Sequence, residues 1–205
     1  KLKKIIYIWM LKNSKYKRGI WDTSILSARV ISWILNIDII LNNSTFAFRK
    51  NFLDCIIAQT NHLKRNIRFE KDYSKKLEIL ISIIFSGLVF KEYEDNYKLG
   101  ISELETLVKN FFDNDGFPLS RNPNDLFFFL KYLILCKEVI HDSQKYVPEF
   151  LEDIIEKNIV CLNFIKTPNG QLPLFNGSTT VDLDQIEKYL ESTKKKNNSN
   201  QNIGG

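Results

Sequence analysis

A chain of 205 residues is long enough for one substantial domain with a sizeable core. Its 44% hydrophobic and 13% aromatic content, with 15 Phe, excludes an intrinsically disordered chain. The net charge of +5 is uneven: Lys1, Lys3, Lys4, Lys12, Lys15, Lys17 and Arg18 crowd the start, and Lys194, Lys195 and Lys196 lie near the end. Such an excess admits nucleic acid or an acidic polysaccharide as partner. No basic stripe runs through the helical patterns, so nucleic acid ranks last, and solvated faces with a basic tail are the plainer account.

The first apolar run, Ile5 to Leu11, is too short to cross a bilayer, and the mean hydropathy is −0.20. No small-residue cleavage site follows it, so it does not read as a signal peptide either. The chain opens at Lys1 without an initiator Met and ends Asn-Ile-Gly-Gly, which suggests a piece of a longer polypeptide.

Helical periodicity then dominates. Ser24 to Leu35 places Ile25, Leu26, Val30, Trp33 and Ile34 on one side, with Asp22 or Thr23 as N-cap. Thr45 to Ile67 repeats the pattern with Phe46, Phe48, Phe52, Ile56, Ile57 and Leu63. Ser74 to Phe90 is almost entirely apolar in its second half and predicts a central, buried helix. Ile101 to Phe112 starts another, with Ser102 and Glu105 at capping-box spacing. Asn124 to Ile140 follows, with Pro123 in its first turn and Phe127 to Phe129 as core by spacing. Pro148 to Ile165 is the next helix, and Val181 to Leu190 reads as a short last one before a low-complexity tail. No strand-like alternation persists. The expectation is an all-α chain of antiparallel helical hairpins; a bundle, a solenoid and an α/α toroid all fit, with no fixed-period repeat to favour the solenoid.

Cys55, Cys136 and Cys161 sit inside apolar helical patterns without metal-ligand spacing, as reduced, buried thiols do. That usage, and the absence of a signal peptide in this stretch, lean towards the cytoplasm. With only His62 and His141 available, and neither near a cysteine, zinc and cysteine-nucleophile chemistry are not indicated, and no cofactor or metal is expected.

Two polar breaks interrupt the helices. Residues 113–124 read Asp-Asn-Asp-Gly-Phe-Pro-Leu-Ser-Arg-Asn-Pro-Asn, and residues 167–178 read Thr-Pro-Asn-Gly-Gln-Leu-Pro-Leu-Phe-Asn-Gly-Ser. Their Gly, Pro, Asn and Asp are turn residues by mechanism, and loops carried on a helical scaffold are where chemistry resides. Read locally, Asn122 before Pro123 is a helix N-cap, while Asp115-Gly116 and Asn176-Gly177 are turns.

Asp115-Gly116, then Ser120-Arg121-Asn122-Pro123, then Asn169-Gly170-Gln171-Leu172 running into Leu174-Phe175-Asn176-Gly177, resemble the heparinase II/III-like family, most closely its bacterial branch. Trp21, Ala28-Arg29, Trp33, Gln59 to Leu63 and Gly87-Leu88 agree in order, so the resemblance spans most of residues 20 to 178. It implies an incomplete α/α toroid over residues 1–192, with residues 193–205 a polar tail or linker to a C-terminal β-sandwich domain of the same parent chain. It also implies an anionic, uronic-acid-containing polysaccharide as substrate, cleaved by β-elimination.

Carried onto this sequence, the resemblance makes Arg121 the partner of the uronate carboxylate, Asn122 a neutral donor beside it, and Asp115 and Asn176 ligands of sugar hydroxyls. The family's Asn-His pair has no counterpart at Asp72 to Lys76, nor its following Tyr at Asp125 or Leu126. Tyr73 is the phenol nearest the expected base position. Asn61-His62 lies one helix too early to take the pair's role. A non-catalytic helical domain that binds glycan or serves as scaffold is the alternative.

Overall fold

The computed structural model describes residues 2–181, 183 and 188. Among them are eight α-helices and no strand: α1 (Leu2–Asn13), α2 (Thr23–Leu35), α3 (Ile37–Leu41), α4 (Phe46–Asn66), α5 (Tyr73–Val89), α6 (Glu94–Phe111), α7 (Pro123–Asp142) and α8 (Glu149–Ile165). Most of the helix expected at Val181 to Leu190, and all of the tail from residue 193, lie outside the described residues.

The helices begin where short polar side chains can take up their free N–H groups. Asp22 accepts from Ser24, Thr45 from Phe48, and Asp72 from both Ser74 and Lys75. Short links join α4 to α5, α5 to α6 and α7 to α8, and each of these neighbours packs on the next. The axis of this array is α5, which also touches α2 and α7. Every residue from Ile79 to Gly87 is buried, as a helix without a polar face requires. Its hydroxyls are nonetheless satisfied. Ser82 donates to the carbonyls of Ser27 and Glu78, and Ser86 donates to that of Ile83 while accepting from Asn96.

One expectation fails here. The spacing of Ser102 and Glu105 does not mark a helix start, because α6 begins at Glu94 and both residues lie inside it. Gly100, inside α6, is a packing residue. A Cβ on Gly100 would stand 2.5 Å from Ile84 Cγ1, and one on Gly87 would stand 2.2 Å from the Tyr97 backbone nitrogen. The two glycines let α5 and α6 approach more closely than any side chain allows.

Among the upstream residues that carry the resemblance, Trp21, Arg29, Trp33 and Gln59 form one structural network. Arg29 donates to Gln59 Oε1 (2.8 Å) and to the Ile20 carbonyl (2.9 Å), and lies 4.1 Å from the centre of the Trp9 ring. Trp33 packs on Trp9 and Phe52, and Trp21 Nε1 donates to the Asn13 carbonyl. These groups tie α1, α2 and α4 together. No helix among the described residues is long and apolar enough to cross a membrane.

Candidate functional site

With the short α3 set aside, the helices alternate in direction, so α1, α4, α6 and α8 finish at the end where α2, α5 and α7 begin. Contacts across that end bear this out: Trp21 meets His62, Thr23 meets Glu70, and Tyr73 meets Phe111. Both polar loops emerge there.

The first loop is built around Asp113. Its Oδ1 accepts from the N–H groups of Asp115 (3.1 Å) and Phe117 (2.8 Å), an Asx turn that Gly116 closes at φ 85°. Phe112 and Pro118 form an isolated antiparallel bridge, and the Leu119 N–H returns to the Phe111 carbonyl. The second carboxylate oxygen, Oδ2, receives Arg121 Nη1 at 2.6 Å. Burial works against the Asp113 carboxylate, but the Phe117 N–H, the Arg121 guanidinium and the Asp115 N–H outweigh it. The pKa therefore lies below the ordinary aspartate value.

Arg121 sits at φ 54°, an uncommon backbone conformation for a residue with a side chain. Its guanidinium carbon lies 5.4 Å from the Phe117 ring centre, and its side chain is 52% exposed. Only Nη1 has a hydrogen-bond partner among the described residues, so the rest of the fork faces outwards.

Asn122 is the N-cap of α7, its Oδ1 accepting from the Asn124 N–H at 2.8 Å, with Pro123 opening the helix. Ser120 Oγ donates to Asp125 Oδ2 at 2.6 Å.

The second loop docks on the first. Asn176 Nδ2 donates to the Arg121 carbonyl at 3.0 Å. The Asn124 amide, with its oxygen towards the Thr179 N–H (3.0 Å) and its nitrogen towards the Thr179 carbonyl (2.9 Å), pairs with that backbone as a strand would. Asn176 itself takes φ 49° ahead of Gly177 at φ 82°, and Asn122 Nδ2 borders that glycine. Asp115, Arg121, Asn122 and Asn176 are thus brought together.

Tyr73 stands at the same end, 44% exposed, with its ring 5.3 Å from Phe111, which stacks on Phe129 at 3.9 Å. It borders the first loop through Phe111 and has neither a hydrogen bond nor a ring contact with Arg121. Phe129 is buried, as its spacing requires, while Phe127 and Phe128 are partly exposed.

Sequence reasoning missed three participants. Asp113 is the hub of the loop, and its spacing to Gly116 was the available signal. Asn158 and Cys161, on α8, bind the loop's backbone: Asn158 Nδ2 donates to the Gly116 carbonyl at 2.6 Å, and the Cys161 thiol to the Asp115 carbonyl at 3.2 Å. Cys161 is therefore half-exposed and engaged, while Cys55 and Cys136 are buried and all three are free thiols. Among the described residues, no group of three or more His, Cys, Asp or Glu is placed to hold a metal ion.

No protein-family model matches this chain, and no curated protein does. Solved structures do. Heparan sulfate lyase HepC from Pedobacter heparinus, in a mutant form, superposes with a TM-score of 0.76 at 20% identity, covering 94% of this chain and 32% of that one. A heparinase III superposes with a TM-score of 0.72 at 18% identity, covering 94% of this chain and 34% of that one. This chain therefore spans about a third of the length of these structures. At such identities it is the fold that is shared: the described helices have the all-α architecture of a heparinase-like helical domain.

Proposed function

We propose that this chain is the helical domain of a heparinase II/III-like protein, binds an acidic, uronic-acid-containing polysaccharide, and contributes to its cleavage by β-elimination. The observation that carries the reading is the docking of the two loops around Arg121, on a fold shared with heparan sulfate lyases. In β-elimination the proton beside a carboxylate is removed, so negative charge grows on the carboxylate as an enolate forms. The outward donors of Arg121 suit that charge, because a planar guanidinium matches a carboxylate in two parallel hydrogen bonds. Asn122 uses its oxygen as a cap, which leaves Nδ2 to act as a neutral donor. Tyr73, the exposed phenol packed beside the first loop through Phe111, takes part in proton transfer. Asp115 and Asn176 bind sugar hydroxyls at the loop edges.

In this reading the hairpins form part of an α/α toroid, and a β-sandwich domain of the same parent chain closes the cleft from the other side and completes the acid–base set. The test is to incubate the full-length parent protein with a panel of uronate polymers and follow ultraviolet absorbance. Lyase action releases unsaturated uronate products; a flat trace across the panel removes the enzymatic claim.

A second reading, a non-catalytic glycan-binding or scaffold domain, is favoured by one feature: Asp113 already neutralises Arg121. If Arg121 serves the scaffold alone, Arg121→Ala leaves glycan affinity unchanged.

A further inference from the structure

Asn158 presents a physical problem. It is fully buried on α8, on the stripe formed by Leu151, Ile154, Ile155 and Leu162 that faces the core. Its Nδ2 is committed to the Gly116 carbonyl at 2.6 Å, while its Oδ1 is buried without a hydrogen-bond partner. An unmatched buried oxygen is costly, and an apolar side chain of the same branched shape, such as leucine, would avoid the cost. Stability of the helix therefore does not account for an amide at this position, whereas the single hydrogen bond it makes does.

That bond reaches the turn at the centre of the first loop. Gly116 lies so close to α8 that a Cβ would stand 2.5 Å from Lys157 Cβ, so the loop is seated directly on the helix. One turn further along, Cys161 takes the Asp115 carbonyl. Two consecutive loop carbonyls are held from α8, and the same loop carries the Asp113 carboxylate that grips Arg121.

We infer that Asn158 is a positioning residue: by clamping the Gly116 carbonyl from the core of α8, it fixes the turn that aims Arg121, and so governs anion binding without touching the ligand. The inference rests on the proposed role of Arg121 for its functional half, and on loop geometry alone for its structural half.

The experiment uses the full chain with three substitutions: Asn158→Leu, Asn158→Asp and Arg121→Ala. Hydrogen exchange at the amides of Asp115, Gly116 and Phe117 reads the clamp directly. With Asn158→Leu these amides exchange at least tenfold faster while those of α5 are unchanged. With Asn158→Asp, protection is lost at neutral pH, where a carboxylate cannot donate, and returns on acidification, when the protonated carboxyl can. Unchanged loop protection in Asn158→Leu overturns the inference, as does protection in Asn158→Asp that ignores pH. Should Asn158→Leu fail to fold, the pH-dependent return in Asn158→Asp still decides.

Binding of a heparan sulfate oligosaccharide then supplies a double-mutant cycle. Asn158→Leu weakens affinity about tenfold when Arg121 is present and adds nothing when Arg121 is already Ala. Equal losses in both backgrounds overturn the link to Arg121. If Arg121→Ala alone leaves affinity unchanged, the proposed function fails, and exchange at the loop amides still settles the clamp.

Discussion

Asn176 donates its side-chain amide to the backbone carbonyl of Arg121 across 55 residues of chain, at 3.0 Å. The bond joins two loops that approach from different helices, and it holds Arg121 in a backbone conformation that residues with a side chain seldom adopt.

Two substitutions at Asn176 separate the bond from the backbone conformation. Asn176→Gly keeps the left-handed φ and removes only the hydrogen bond, with an expected cost of up to about 1 kcal/mol. Asn176→Ala loses the same bond and puts at φ 49° a residue that tolerates the left-handed region less well than asparagine or glycine, about 1 kcal/mol more. Chemical denaturation of both variants, with limited proteolysis of residues 167–179, checks the order. Equal losses would mean that the bond, not the left-handed turn, is what Asn176 contributes there.

The close crossing of α5 and α6 is a sharper point of failure. Gly87→Ala drives a methyl to 2.2 Å from a backbone nitrogen, which cannot rotate away, so the helices must separate. The loss should lie at or above the top of the about 1–3 kcal/mol typical of overpacking. Gly100→Ala meets a movable Ile84 side chain and should cost less. Urea titration of the two variants measures the difference; a milder effect at Gly87 contradicts the packing described.

Asp113 sets an acid limit on the first loop. Its pKa is depressed in the folded chain, so its stabilisation is complete above the ordinary aspartate value of about 4 and disappears as pH falls through the lower folded value. The melting temperature of Asp113→Asn should therefore lie below that of the parent at pH 6 and converge with it towards pH 3. A gap that stays constant with pH would show that charge is not what Asp113 contributes.

Thiol reactivity should follow burial and local charge. Cys136 is buried and its pKa is pushed up to about 12, so it should label only on global unfolding. Cys161 is more accessible but has its pKa raised by burial and by Asp113 and Asp115, so it should react first, yet more slowly than a free thiol. Mass spectrometry during iodoacetamide labelling gives the order. Early modification of Cys136 would mean that α7 opens locally.

Much of this architecture is legible in the sequence because it follows from local rules. The caps at Asp22, Thr45 and Asn122 announce helix starts, and the unbroken apolar run of α5 announces its burial. The start of α6 was misread because Ser102 and Glu105 imitate a capping box inside the helix, and the close contact of Gly100 with Ile84 is visible only once α5 is alongside. At the site, the loop residues were legible and their partners less so. Asn158 stands 42 residues from Gly116, and nothing local pairs them. Its position on an apolar stripe was the signal, since a lone amide among leucines and isoleucines must find a partner. Trp21, Arg29, Trp33 and Gln59 carried the resemblance for a structural reason, as members of the network joining the first helices.

Asp113 gives the exposed guanidinium a resident anion of its own. A carboxylate arriving at Arg121 meets a fork with one tine already taken, and must either settle for the outer edge or evict the resident. Under the proposed role, association at this point would be a competition with a resident partner rather than the capture of a bare charge. An incoming anion gains little from charge alone and more from geometry that the aspartate cannot match.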